Sequence, residues 1–181
     1  MTEAAGGKDQ QPLQARITLL DMNRLPATRV PMPLGPHLAL LRASAIPLHF
    51  YRYLYEQIGR AHHWLAHRDL DDDALSAIIH SEKTEIRVLY CDGAPAGFFE
   101  LDLSGLPLAA EIRYFGLVPD FQGRGLAKFF LSEAIFAAFS HEPEKLMIQT
   151  NSLDSPRALQ LYQRAGFSPY GWSQETISRW D

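Results

Sequence analysis

Cysteine is nearly absent from this 181-residue chain. Cys91 stands alone, so no internal disulfide can form and nothing points to an oxidising compartment. Long apolar runs are missing as well, none approaching the ~20 residues that a membrane-crossing helix needs. There is no basic excess: 17 Lys and Arg against 21 Asp and Glu leave a net charge of −4. Nucleic-acid binding requires a basic face to neutralise phosphates, so that class is disfavoured, and a small-molecule or peptide partner fits better. The first fourteen residues lack the apolar stretch of a signal peptide and carry Glu3 and paired glycines. They are expected to be a flexible lead-in to a single domain over 15–181, with the cytoplasm as default location, no membrane partner and homodimerisation left open.

What is present is the composition of a globular domain, 46% apolar and 21% charged. Two short apolar runs, 15–22 and 37–44, flank a proline-rich loop and are expected to be strands. From Pro47 to Leu70, Leu48, Tyr51, Leu54, Tyr55 and Ile58 recur at three-and-four spacing, which predicts a helix with Pro47 in its first turn. A short second helix is expected after Asp71–Asp73, carboxylates that suit a helix N-terminus. Residues 85–103 predict a hairpin about an Asp92-Gly93 turn, with Phe98 and Glu100 on one face and Phe99 and Leu101 on the other.

The strand-like 109–118 then runs through "PDFQGRG" into a helix over 126–140 that is apolar nearly all round, the mark of burial against a sheet. One helical crossover to the strand 144–151 makes these two strands parallel neighbours. A further helix has Ser155 as N-cap, Pro156 at its first position and Gly166 as its stop, and a last strand or pair follows. Trp172 and Trp180 are expected to cover the sheet edge.

Strand, glycine turn and helix is the arrangement in which unpaired amides and the helix dipole meet an anionic phosphate. Gly123 and Gly125 remove side chains from its path, and Arg124 adds charge. A Walker loop needs a Gly-Lys-Ser/Thr ending that is missing, and a dinucleotide fingerprint needs glycine where Lys128 stands. Letters and spacing alone leave an empty glycine turn as the remaining alternative.

Gln122-x-x-Gly125-x-Ala127 between strand and buried helix resembles the pyrophosphate-binding signature of the GNAT superfamily of N-acetyltransferases. Ala158-Leu-Gln-Leu-Tyr162 followed by Gly166-Phe167 is similar to that family's second motif, and the resemblance covers about 85–170. It implies a mixed α/β sheet with antiparallel N-terminal strands and a parallel pair flanking the cofactor helix. The implied reaction is direct transfer of an acetyl group from the cosubstrate acetyl-CoA to an amine, without a metal.

The same resemblance implies that Gln122, Gly123, Arg124, Gly125, Leu126, Ala127 and Lys128 hold the pyrophosphate. Backbone groups of Phe115 and Leu117, freed by a bulge, would hold the pantetheine arm, and Tyr162 would be the acid at sulfur. Glu111 is the candidate base; its alternative is a strand carboxylate paired with Arg113 or another cation. For Tyr162 the alternative is a core tyrosine packed with Leu159 and Phe167. Family members often carry Asn where Ser155 stands here, with Asn151 and Asp154 nearby. Asn151 and Arg157 complete the candidate cofactor contacts, Arg157 having a solvated helix charge as its alternative.

A different class is a CoA-binding sensor on the same scaffold without turnover, against which intact Tyr162 and Glu111 count. His63 and His67, four apart on the expected helix, match a metal pair only if a third ligand exists, and none has recognisable spacing. They are expected to face solvent or the substrate cleft. Tyr51, Arg52, Tyr55, His62 and Trp64 fall where this fold walls its acceptor pocket.

Overall fold

The computed structural model describes residues 11–180, in which the chain forms seven strands and four α-helices. Their order is β1 (Leu13–Met22), β2 (Leu38–Arg42), α1 (Leu48–Gly59), α2 (Asp72–Ile79), β3 (Thr84–Cys91), β4 (Ala94–Asp102), β5 (Ala109–Leu117), α3 (Leu126–Phe139), β6 (Lys145–Asn151), α4 (Ala158–Ala165) and β7 (Ser168–Ile177). Single 3-10 turns lie at Arg60–His62 and Pro119–Phe121. The strands make one sheet ordered β2-β3-β4-β5-β6-β1-β7, antiparallel throughout except for β5 beside β6. This is the mixed α/β arrangement expected from the motifs.

Each face of the sheet buries one pair of helices. Phe99, Leu101 and Ile112 meet Phe130, Leu131 and Tyr162 from α3 and α4 on one side. Phe98 and Val88 meet Tyr51, Leu54, Ile58 and Leu75 from α1 and α2 on the other. The alternation Phe98/Phe99 therefore splits as expected, because successive strand residues point to opposite faces. At the hairpin tip, Asp92 and Gly93 both take positive φ, as a two-residue loop between antiparallel strands demands.

Several boundaries differ from expectation. β1 begins at Leu13, two residues before the expected start, and most of the expected lead-in, 1–10, lies outside the described residues. α1 ends at Gly59 instead of running toward Leu70, because the chain folds back and seats Trp64 on that glycine, where a Cβ would lie 2.8 Å from the indole. His63 follows in the left-handed region. Pro47 precedes α1 as its cap residue.

Asp71 caps α2 as expected, its carboxylate accepting from the Ala74 amide at 2.8 Å. α4 starts at Ala158 rather than at Pro156, and Ser155 is not its side-chain cap: the Ser155 carbonyl accepts the Ala158 amide at 2.8 Å in a preceding turn. The tail is one strand, β7. Trp172 on β7 is exposed under Arg16, whereas Trp180 packs toward Tyr55 with Arg68 over its ring.

Two departures from regular pairing position the site. β5 and β6 stay in register only from Ala109↔Lys145 to Ile112↔Ile148, then separate. The β4–β5 register also shifts by one residue at Arg113, a bulge that twists β5 where the separation starts.

Candidate active site

A cleft of about 1090 Å³ opens where β5 and β6 part, walled by α3 and α4. The bulge leaves Phe99↔Phe115 and Gly97↔Leu117 as facing pairs. The Val118 amide donates to the Ala96 carbonyl at 2.9 Å, so hydrogen-bonded pairs alternate through Gly116 and Tyr114. The amides and carbonyls of Phe115 and Leu117 consequently turn away from β4 and toward the gap that β6 has vacated. One of these groups has an internal partner, the Gln122 side chain donating to the Leu117 carbonyl at 3.1 Å.

At the next turn the chain enters α3 without a side-chain cap. Gly123 and Gly125 take φ of 73° and 76°, conformations that cost an L-residue about 1–2 kcal/mol, and a Cβ on either would project into empty space. The cleft is thus lined at one end by a cradle of backbone free to meet an anion at the positive end of a 14-residue helix. Gln122, Leu126, Ala127 and Lys128 line it too; Arg124 does not, its guanidinium lying over the Phe121 ring.

Tyr162 faces the same cleft from α4, 7% exposed and packed edge-on to Phe115 and Phe167. Burial first, and the Asp154 carboxylate second, push its phenol well above the ordinary value of 10, so it holds its proton throughout the physiological range. Asn151 and Arg157 line the cleft beside it. The Asn151 side chain accepts the Leu153 amide at 2.7 Å and so shapes the β6–α4 loop.

Glu111 precedes the bulge and is not among the residues that line the cleft, although Ile112 and Arg113 beside it are. Burial raises its pKa despite Arg113, and Arg113 makes its short ion pair with Asp102 at 2.7 Å. His62 and Trp64 do line the cleft, together with Arg113 and Tyr114, forming its α1 side. Tyr51, Arg52, Tyr55 and His67 instead line a separate pocket of about 330 Å³ beside Trp180.

His63 and His67 do not form a helical pair. His63 accepts the Trp180 amide at 2.9 Å, and His67 is buried with Nδ1 2.6 Å from the Tyr51 hydroxyl. Among the described residues no cluster suits a metal ion.

The Tyr51 hydroxyl also donates to Glu100 at 2.7 Å, and Glu100 is 1% exposed with no ion-pair partner among the described residues. Burial lifts its pKa to about 7 against the opposing pull of Tyr51 and Arg113, while burial and Arg113 lower His67 to about 4. The strand alternation put Glu100 on the same face as Phe98, but its partner lies 49 residues earlier in the chain.

The acetyltransferase (GNAT) family model matches residues 49–167. The chain belongs to that family. No curated protein matches it. Among solved structures, a functionally unknown conserved protein from Staphylococcus epidermidis is 15% identical with a TM-score of 0.61, over 93% of this chain and 63% of that one. A tandem GNAT protein from the clavulanic acid biosynthesis pathway is 16% identical with a TM-score of 0.60, over 96% and 56%. An aminoglycoside N-acetyltransferase in complex with CoA is 19% identical with a TM-score of 0.54, over 83% and 97%. The chain thus spans less than two thirds of the first two, and at these identities the likeness is one of fold.

Proposed function

We propose that this GNAT chain transfers an acetyl group from acetyl-CoA directly to a primary amine of a small molecule or peptide. One observation carries the reading: the open backbone cradle at the start of α3 and the buried phenol of Tyr162 share one cleft with the strand edge at Phe115 and Leu117 that β6 leaves uncovered. The cradle of Gly123, Gly125, Leu126, Ala127 and Lys128 fits a pyrophosphate, with Arg157 nearby, and the exposed strand edge fits a pantetheine amide arm. Arg124 contributes only if it leaves Phe121.

Direct transfer needs the amine nitrogen to attack the thioester carbonyl while the C–S bond breaks. A free Phe115 or Leu117 amide suits the oxyanion that develops, and Tyr162 supplies a proton to the departing sulfur. Holding both reactants in one cleft is the larger contribution, because orientation removes the entropic cost of a bimolecular encounter. The acceptor approaches from the α1 side, past Trp64, Tyr114 and His62. Glu111 is given no step.

The test is release of free thiol from acetyl-CoA in the presence of an amine panel that includes peptides and, given the likeness to an aminoglycoside N-acetyltransferase, an aminoglycoside. Amine-dependent release with recovery of the acetylated amine supports the proposal. Tight acetyl-CoA binding without release for any amine would instead favour a sensor.

A further inference from the structure

The cleft that Tyr162 lines also holds an imidazole and a carboxylate that the transfer outlined above does not use. His62 closes the 3-10 turn after α1, and Asp154 sits in the β6–α4 loop; both line the cleft. His62 Nδ1 lies 3.5 Å from the Leu153 carbonyl and 3.9 Å from Asp154 Oδ1. Both neighbours are acceptors, so the neutral ring carries its proton on Nδ1 and leaves the Nε2 lone pair free. Among the described residues Nε2 has no hydrogen-bond partner, yet no fully buried side-chain nitrogen or oxygen there lacks one. Nε2 is therefore not fully buried, on a side chain that lines the cleft.

The carboxylate behind this ring is fixed. Asp154 Oδ2 accepts the Thr150 hydroxyl and the Asn151 amide, each at 2.8 Å, which leaves Oδ1 toward His62. The charge of Asp154 is also felt by Tyr162, so one carboxylate stands near both the imidazole and the phenol. Trp64 packs 6.3 Å from the His62 ring and 4.9 Å from Tyr114, giving an aromatic wall next to a negative charge. Such a wall favours a cation.

We propose that His62 is the general base for the acceptor, taking its proton on Nε2 while Asp154 and the Leu153 carbonyl hold the ring, and that the acceptor is a primary aliphatic ammonium seated against Trp64 and Tyr114. This rests on the acetyl-transfer reading. The first ammonium proton passes to His62 and on to solvent. The neutral nitrogen then bonds to the acyl carbon, the C–S bond breaks, and Tyr162 protonates the thiolate. The second proton on nitrogen restores Tyr162 by way of His62. The charged and titratable groups that line the cleft with His62 are Asp154, Arg157, Tyr162 and Arg164 on the α4 side, Arg113 and Tyr114 on β5, and Lys128 on α3.

The test compares wild type with His62→Gln, His62→Ala and Asp154→Asn in amine-dependent thiol release, and measures acetyl-CoA binding by calorimetry. His62→Gln lowers kcat by about 10²–10⁴-fold with acetyl-CoA affinity unchanged. The deficit shrinks as pH rises toward the amine's own pKa of about 10.4, where the acceptor arrives already deprotonated. Added imidazole restores part of the His62→Ala activity, and Asp154→Asn shows a smaller kcat defect. An unchanged kcat in His62→Gln overturns the base assignment while leaving acetyl transfer intact, as does a loss that is equal at every pH and indifferent to imidazole. Acetyl-CoA binding by wild type with no amine-dependent release overturns the transfer reading and the base with it.

Discussion

Replacing Glu100 by glutamine isolates the cost of burying an acid in the core of β4. The side chain is 1% exposed, and the single hydroxyl of Tyr51, 2.7 Å away, is its hydrogen-bond partner. Its pKa is about 7 in the folded protein against an ordinary 4.5. A folded pKa above the unfolded one means that the native state holds this proton more tightly. The associated stability is complete below pH 4.5 and is lost as pH rises through 7. At 1.36 kcal/mol per unit, a gap of 2.5 units amounts to about 3 kcal/mol, nearly all of it lost by pH 7. Glutamine keeps an acceptor for Tyr51 and cannot ionise.

Urea unfolding of both proteins from pH 4 to 8.5 reads this directly. The curves coincide near pH 4, and above pH 7 the Glu100→Gln midpoint is higher by on the order of 1 M, given slopes of about 1–3 kcal/mol/M. His67 titrates in both proteins and cancels from the difference. Equal stability across the range, or a glutamine variant that is weaker at high pH, would refute the reasoning.

Tyr162→Phe keeps acetyl-CoA binding, since the ring still packs on Phe115 and Phe167, but lowers kcat for thiol release by roughly 10²-fold; unchanged turnover in steady-state assays removes Tyr162 as the acid. Gly116→Ala places a methyl against the Ile58 side chain where α1 meets β5, and thermal denaturation should show a loss of about 1–3 kcal/mol. Combining it with Ile58→Ala should give a non-additive sum in a double-mutant cycle, and strict additivity would show that the two sites do not touch. His67, with a folded pKa of about 4 below the ordinary 6.5, destabilises the protein as pH falls from 6.5 toward 4. His67→Phe should flatten that acid limb in unfolding titrations, and an unaltered limb contradicts the assignment.

The elements that could be read from the sequence are those whose cause is local. The Asp92-Gly93 turn, the all-round apolar α3 and the Gly166 stop depend on neighbours a few residues away. The family motifs located the cradle and Tyr162 for the same reason. What could not be read depends on long-range meetings. β1 slots between β6 and β7, pairing with strands more than a hundred residues away, and no local pattern encodes that place. α1 stops at Gly59 because Trp64 folds onto it.

At the site, the bulge at Arg113 shifts the β5 register by one residue and so changes which face each side chain after Glu111 and Ile112 meets, which a strict strand alternation does not show. His62 was expected in the wall of an acceptor pocket, and it lines the cleft. Its approach to Asp154 joins positions 92 residues apart.

The central claim is that the cradle at the start of α3 binds acetyl-CoA. Calorimetric titration of acetyl-CoA into wild type and Gly125→Val tests it most directly, because the added side chain enters open space rather than the core. The account predicts saturable binding by wild type, with none detectable in a Gly125→Val protein that remains folded and has lost only about 1–2 kcal/mol of stability. Equal binding by both proteins, or none by wild type, would contradict it.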